Sequence, residues 1–440
     1  MKKAIGVFAV LALGAGAVAA QDSTLRLTLR QAMELAEKQN PDVQLAALRA
    51  VEVQATAEIA RSAYRPQLGI SVANAYQTSN LEGIGLMLPG APSRVGPYRV
   101  FNARPQLTTP VFDLTLLSRI HAETERNQGA KYDTETVRQT TLLAVLELGI
   151  DFFQAESRIA AANARLHTAE AVFQQARQAE AAGTASKLDL ARTSQQVYAE
   201  QAAVTQATRD RDVVQAMLIK TIGLDQSADV RLEAPELMQF APRLRSVASI
   251  ARGAQEQRSE LGALEARIRA AGYDRQGAAR ERLPKLAFSG DFGAVGAGPD
   301  RSLSTYTVGG SLSIPIFTGG RIRAEVQAAQ AKVAQAEREL HKARLAVAEE
   351  VQQAAIESDA ARDTLASAER AAGEARKSLD LARLRFQAGL TSDVDVSTTQ
   401  ATLAQAEDFE IRTRYDWYRA EARLARAEGD VYWFFDRGAR

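Results

Sequence analysis

Two aspartates stand at matching positions in this sequence. Asp189 lies six residues past Gly183, in Ala182-Gly183-Thr184-Ala185-Ser186-Lys187-Leu188-Asp189. Asp395 lies six past Gly389, in Ala388-Gly389-Leu390-Thr391-Ser392-Asp393-Val394-Asp395. Glycine suits the left-handed residue that ends a helix. Ser186 and Ser392 suit the N-cap of the next helix, with the aspartate three residues on, as in a capping box. A carboxylate so placed has two uses, and both are open here. It caps a helix and meets its positive end, or, repeated around a pore, it forms an acidic ring that selects by charge. Arg192, three residues past Asp189, is spaced to pair with it and would weaken such a ring.

Other chemistry has little to work with. The chain has no Cys, which removes disulfides, thiolate metal sites, Cys nucleophiles and lipid attachment through Cys. His121, His167 and His341 are far apart in polar helical stretches, where a solvated side chain is the default over metal ligation. There is no paired His, no phosphate loop after a strand and no Ser elbow; Gly293-Ala294-Val295-Gly296 fits a loop. Acidic residues lie on helix faces, where solvation is the default. No enzyme, cofactor or metal site is expected. With 54 basic against 53 acidic residues, the chain also lacks the basic surplus of a nucleic-acid binder.

The elements that position the two aspartates are long. The twelve Pro residues are clustered, and none occurs from Val111 to Ala234 or from Ile316 to the end. Proline breaks helix interiors, and Ala, Glu, Gln and Arg favour them. Each Pro-free span therefore reads as a helical hairpin with a tight tip, at Gly183 and at Gly389. In the second, Ile322, Val326, Ala329, Val333, Ala336, Leu340, Ala343 and Val347 alternate in steps of four and three. That 3.5-residue repeat implies left-handed supercoiling; an ordinary amphipathic helix is the alternative, since the strict seam fades after Val347. An Ala-rich chain with 6% aromatics suggests thin, close-packed helices more than a thick core.

The halves of the chain match, which suggests an internal duplication. Tyr64-Arg65-Pro66-Gln67-Leu68 parallels Arg282-Leu283-Pro284-Lys285-Leu286, and the segment around Pro110 parallels that around Pro315. Pro110 to Gly183 is 73 residues and Pro315 to Gly389 is 74. Repeat one covers 24–224 and repeat two 245–428, each in the order helix, two strands, long helix, shorter helix. The opening helix starts at Thr28, with Gln31 in capping-box position, and restarts at Asn40-Pro41 before ending near Ala63. The long helices are expected at about 114–182 and 319–388, flanked by 186–222, 245–282 and 392–428.

Strands fall at about 66–112 and 284–316, roughly ten residues each, a length that crosses a bilayer when tilted. Leu68, Ile70 and Val72 alternate with small residues, as do Leu286 and Phe288, and Tyr306, Val308, Leu312 and Ile314. Tyr98 to Leu107 alternates poorly and is assigned as a strand mainly by symmetry. The loops at 81–97 and at Pro299-Asp300 would face the exterior. One apolar and one polar face suits a water-filled barrel in lipid; a soluble hairpin packed on helices is the alternative.

Residues 1–20 have the layout of a secretory signal peptide: Lys2 and Lys3, an apolar run from Ala4 to Val18, and small residues before Gln21. No later segment has 18 consecutive apolar residues, so entry into a membrane requires a closed β-barrel. Four strands cannot close one, for which about eight is the minimum. Several chains must pool strands, and three would give twelve. The expected fold is thus an α+β membrane protein, with long coiled-coil hairpins and four transmembrane strands per chain in a barrel shared between copies.

These features resemble the TolC-like outer membrane efflux proteins over about 24–428. The most specific stretch is Arg385-Phe386-Gln387-Ala388-Gly389-Leu390-Thr391-Ser392-Asp393-Val394-Asp395-Val396, similar to the family's helix-tip motif. Gly183 to Asp189 is similar, with Glu180 where the aromatic would be. Leu29-Arg30-Gln31-Ala32 with Asn40-Pro41, and Pro110 and Pro315 at strand exits, are also family-like. The resemblance implies a trimeric outer-membrane barrel with a periplasmic tunnel, and an equatorial belt near 223–245 and 429–440. It implies passage of substrate from an inner-membrane pump or ABC transporter, through a periplasmic adaptor, to the exterior. The tips would close the tunnel at rest, with Asp189, Asp395 and Asp393 at the aperture. Adaptor hairpins would dock at Gly183, Thr184, Ser186, Phe386, Gly389, Leu390 and Ser392. Some members carry a second acid nine residues past the tip glycine; here Arg192 and Thr398 stand there, and Asp393 is a substitute by position. Thr391 stands where some members carry a basic locking residue. An exit duct for type I protein secretion, and a periplasmic coiled-coil scaffold or adaptor, remain as alternatives. The tail Tyr432-Trp433-Phe434-Phe435 is expected to pack on the belt.

Overall fold

The computed structural model describes residues 25–85, 90, 92–233, 247–388, 390 and 393–436. Residues 1–24, with the expected signal peptide, residues 234–246 of the expected belt, and Gly389, Thr391 and Ser392 at the second tip lie outside the described residues. So do the side chains of Phe386 and Asp393.

Strand β1 (Leu25–Leu27) leads into α1 (Leu29–Gln39), capped by Thr28 in a capping box with Gln31. Asn40 then caps α2 (Pro41–Ser62), accepting from the N–H groups of Asp42 and Val43. Pro at the first helical position loses no hydrogen bond. Strands β2 (Gln67–Asn80) and β3 (Arg94–Phe112) follow, then α3 (Leu114–Ala181) and α4 (Lys187–Ile222). The second half opens after β4 (Val230–Leu232) with α5 (Val247–Gln257) and α6 (Ser259–Arg280). It continues through β5 (Lys285–Gly296), β6 (Ser302–Ser313), α7 (Arg321–Gln387) and α8 (Asp393–Glu428), and closes with α9 (Trp433–Asp436). At 68 residues, α3 spans about 100 Å.

The helices form a wall. Cross-helix pairs such as Arg165–Glu200 and Arg211–Glu156 lay α4 antiparallel along the lower part of α3, and Thr134 Oγ1 donating to Ala46 O lays α2 along its upper part. On the other side of α3, Glu147 meets Arg423 of α8 at 2.7 Å, while Glu125 meets Arg269 of α6 at 2.7 Å. Helix α7 closes the row, through Arg344–Glu265 and Arg376–Glu410. Each long helix thus runs beside two shorter ones placed end to end. The coaxial partner of α4 is α2 alone, because the 28–63 segment is split at Asn40 and α1 folds aside into the belt core. The 245–282 segment is also two helices, split at Arg258, where a single one was expected.

The seam of α7 does not fade at Val347. It continues through Val351, Ala354, Ser358, Leu365, Ala368, Ala372, Ala375 and Leu379, all buried. Two successive steps of four, 343–347–351, form a stutter that locally unwinds the supercoil. It falls beside the Arg258 break, and below it most seam residues are Ala or Ser, hard to tell from other Ala positions in the sequence.

The sheet has the order β2-β3-β5-β6, antiparallel throughout. The strands run 12 to 19 residues, longer than the expected ten. Tyr98 to Leu107 is a strand. It alternates poorly because Arg99 stands on the apolar face and Tyr98 and Val100 on the other, and pairing with β5 passes from Ala103↔Ala294 to Gln106↔Asp291 around Pro105, which lacks an N–H. Pro66 and Pro284 directly precede β2 and β5. Pro110 sits inside β3 opposite Ala287, not at the strand exit, and Pro315 lies two residues past the end of β6.

A compact apolar core sits at mid-length. Leu27, Met33, Leu142, Leu146, Ile150, Leu218, Ile222, Val230, Val431 and Phe434 pack there, with β1 and β4 pairing in parallel. The aromatic tail is ordered into this core, Phe434 being 1% exposed.

Candidate functional site

Three features of this frame bear on function: the helix tips, the polar face of the sheet, and surfaces left without a partner.

At the first tip the chain turns through Gly183 at φ 75°, a conformation that favours glycine. The Thr184 N–H donates to Ala179 O at 2.8 Å and its hydroxyl donates to the same oxygen at 3.0 Å, so α3's open carbonyl end is satisfied twice. Ser186 caps α4: the Asp189 N–H donates to Ser186 Oγ at 3.2 Å. Asp189 returns the favour, its Oδ2 accepting from the Ser186 hydroxyl at 2.7 Å and the Ser186 N–H at 3.0 Å. The Ser186 hydroxyl, then its N–H, hold the Asp189 carboxyl below the usual carboxylate range, and the Arg192 charge acts in the same direction. Asp189 is therefore an ionised cap.

At the second tip one backbone bond of the turn lies among the described residues. The Leu390 N–H donates to Arg385 O at 2.9 Å, the counterpart of the Thr184–Ala179 bond, but leucine has no hydroxyl to add. Asp395 lies in the first turn of α8, and Thr399 Oγ1 donates to its carbonyl. Leu188, Leu390 and Val394 are exposed around the two tips.

The sheet's two faces differ. Leu68, Ile70, Val72, Phe101, Ala103, Leu107, Phe288, Phe292, Tyr306 and Val308 share one face by register. The other carries Gln67, Ser71, Asn102, Gln106, Thr108, Ser289, Asp291, Thr305 and Thr307. On that face Arg104 donates to Asn102 Oδ1 at 2.8 Å, Asp291 Oδ1 at 2.6 Å and Thr305 Oγ1 at 2.8 Å, spanning three strands. Gly293 makes the crossing possible, since a Cβ there would lie 2.6 Å from Arg104 Cγ. The sequence signal for this cluster is the period-two polar run Asn102, Arg104, Gln106, Thr108, hidden by the prolines around it.

Two kinds of surface are unfinished. Strands β2 and β6 each have a bare hydrogen-bonding edge. Helix α2 exposes Leu45, Leu48, Val51 and Ile59, and α4 exposes Tyr198, Val213 and Met217. Between the two hairpins, Arg158, Arg165, Asp408 and Arg412 line a groove of about 530 Å³. Among the described residues no helix is long and apolar enough to cross a membrane, and no cluster of His, Cys, Asp and Glu could hold a metal.

The frame is a four-stranded sheet continued by a wall of long helices. The family model for Outer membrane efflux protein matches residues 32–224 and 251–430, and the chain belongs to that family. It is an outer-membrane efflux channel component and not an enzyme. Among curated relatives, it is 25% identical to the pyoverdine export outer membrane protein OpmQ of Pseudomonas putida over 91% of this chain and 85% of that one. It is 29% identical to outer membrane protein OprJ of Pseudomonas aeruginosa over 64% of this chain and 61% of that one. Among solved structures, VceC of Vibrio cholerae superposes with TM-score 0.78 at 17% identity, covering 91% of this chain and 96% of that one. The open state of the Neisseria gonorrhoeae MtrE channel does so with 0.78 at 16%, covering 92% and 89%.

Proposed function

We propose that three copies of this chain, exported by the cleaved 1–20 signal, form one continuous exit duct. Twelve strands close a barrel in the outer membrane, and twelve helical strips continue it into the periplasm. The bare edges of β2 and β6 carry this: open edges are not tolerated in lipid, and each complements the other on a neighbouring copy. The exposed apolar residues of α2 and α4 support it as helix contacts between copies. The matching halves are a duplication, so one unit is used six times around the axis.

The duct takes small molecules from an inner-membrane pump, through a periplasmic adaptor, to the exterior. Relatives named for pyoverdine export favour a small-molecule cargo over a secreted protein. The periplasmic tips form the aperture, with Asp189, Asp393 and Asp395 near its axis. Adaptor hairpins dock around Gly183, Thr184, Ser186, Phe386, Gly389, Leu390 and Ser392.

Carbonate extraction of membranes tests the barrel: retention as a heat-modifiable oligomer is expected, and release into the soluble fraction returns the chain to a scaffold. Single-channel recording tests the aperture. Asp395→Ala is expected to change conductance or cation preference, and an unchanged current reduces Asp395 to a helix residue.

A further inference from the structure

Charge enters the apolar face of the sheet only towards its outer margin. From Leu68 to Tyr76 on β2 and across the residues registered with them, Arg99 is the sole charged side chain on that face. It stands opposite Tyr76 and diagonal to Asn74, on the outer side of the apolar rows Leu68–Val72 and Phe101–Leu107. An arginine facing lipid is tolerated only at the level of the headgroups, where tyrosines also gather.

Arg99 is held there. Its Nε donates to Asn74 Oδ1 at 2.8 Å, which fixes the plane of the guanidinium. Its Nη1 reaches the β5–β6 turn, 4.0 Å from where a Cβ on Gly298 would sit. No ion pair engages Arg99 among the described residues; the carboxylate of that turn, Asp300, instead lies 3.8 Å from Arg301. Arg99 is exposed, so the outer fork of its guanidinium is open to an anion from outside the chain. A planar fork of N–H donors matches a phosphate ester.

We infer that Arg99, braced by Asn74 beneath the Gly298–Asp300 turn, binds a phosphate of the phosphorylated glycolipid in the outer leaflet. This rests on the barrel proposed above. It adds a lipid site that pins the outer rim of the duct at the β2–β3–β5 junction. Three such sites would recur around the barrel.

The test uses the purified, assembled mature chain in detergent, wild type and Arg99→Gln, each first shown to form the heat-modifiable oligomer. Binding of bisphosphorylated lipid A, monophosphoryl lipid A and inorganic phosphate is measured by native mass spectrometry and by the oligomer's dissociation temperature. Lipid A is expected to bind the wild type and raise that temperature. Arg99→Gln is expected to bind roughly tenfold or more weakly, the loss of one charge-assisted contact, with little thermal shift. Equal lipid A binding by the variant overturns the site and leaves an arginine that reaches only water. An equal thermal shift from inorganic phosphate overturns the lipid assignment. A wild-type chain that forms no membrane-inserted oligomer overturns the barrel itself, a failure seen before any lipid is added.

Discussion

The two mid-length joints do the same job with different chemistry. In the first half, Asn40 sits between α1 and α2 and faces the end of α4. Its Oδ1 caps α2, and its Nδ2 donates to Thr221 O at 2.7 Å. In the second half, Arg258 sits between α5 and α6 and faces the end of α8. It makes no side-chain cap, but its guanidinium donates to the carbonyls of Arg426 and Ala427 at 3.3 Å and to Glu350 at 2.7 Å. Each faces a left-handed glycine that ends the returning helix. A Cβ on Gly223 would lie 2.4 Å from Gln39 O, and one on Gly429 would lie 3.1 Å from Gln257 Cβ. The shared geometry needs a donor aimed at spent helix carbonyls and a residue without a side chain beneath it. It does not need one residue type.

The difference predicts unequal costs. Arg258 and Arg426 are buried, Glu260 is half-buried and Glu350 is exposed. Burial alone pulls the Arg258 pKa down, but the hydrogen bonds to Glu350 and Glu260 outweigh that and raise it, so Arg258 stays charged. Arg258→Ala leaves the two carbonyls without their donor, while Glu260 keeps Arg426 and the exposed Glu350 returns to water, and it is expected to cost about 2–3 kcal/mol, read from denaturant unfolding of the helical signal. A loss below about 1 kcal/mol would make the cluster redundant. Asn40→Ala removes a cap and one stitch and is expected to cost about 1–2 kcal/mol. Asn40→Asp sharpens the comparison: it keeps the cap, loses the donor to Thr221, and should fall between the unaltered protein and Asn40→Ala.

These joints also mark how far the sequence could be read. Asn40-Pro41 announces itself locally, as a capping amide followed by a proline fit for the first helical turn. Arg258 has no local mark, because its partners at Glu350 and Arg426 are distant in sequence and its helix break is made by tertiary contacts. The same rule separates the capping boxes at Thr28 and Ser186, which are local and were legible, from the Arg104–Asp291–Thr305 cluster, which requires strand register. The lower seam of α7 was hidden for another reason: alanine on every face leaves no hydrophobic period to read. At the tips, the capping role of Asp189 was legible, while the aperture role depends on copies of the chain that no single sequence displays.

The smallest expected effects are at the tips. The depressed Asp189 carboxyl works in one direction. Its stabilisation of the first tip is complete above the ordinary carboxylate range and is lost as pH falls through its lowered pKa. Protection against hydrogen exchange at 183–190, relative to the intrinsic rate at each pH, should therefore hold at neutral pH and be lost only in strong acid. Ser186→Ala should raise exchange there at neutral pH, a local loss of at most about 1 kcal/mol. Thr184→Leu, which gives the first tip the residue that Leu390 is at the second, should likewise raise exchange at 183–190 by removing the hydroxyl bond to Ala179 O.

The oligomeric state of the mature chain in a lipid nanodisc tests the central claim most directly, with mass and ion conductance read on one preparation. Three chains around a conducting pore are expected, because β2 and β6 must each find a partner. A stable single chain that conducts nothing would contradict the shared wall.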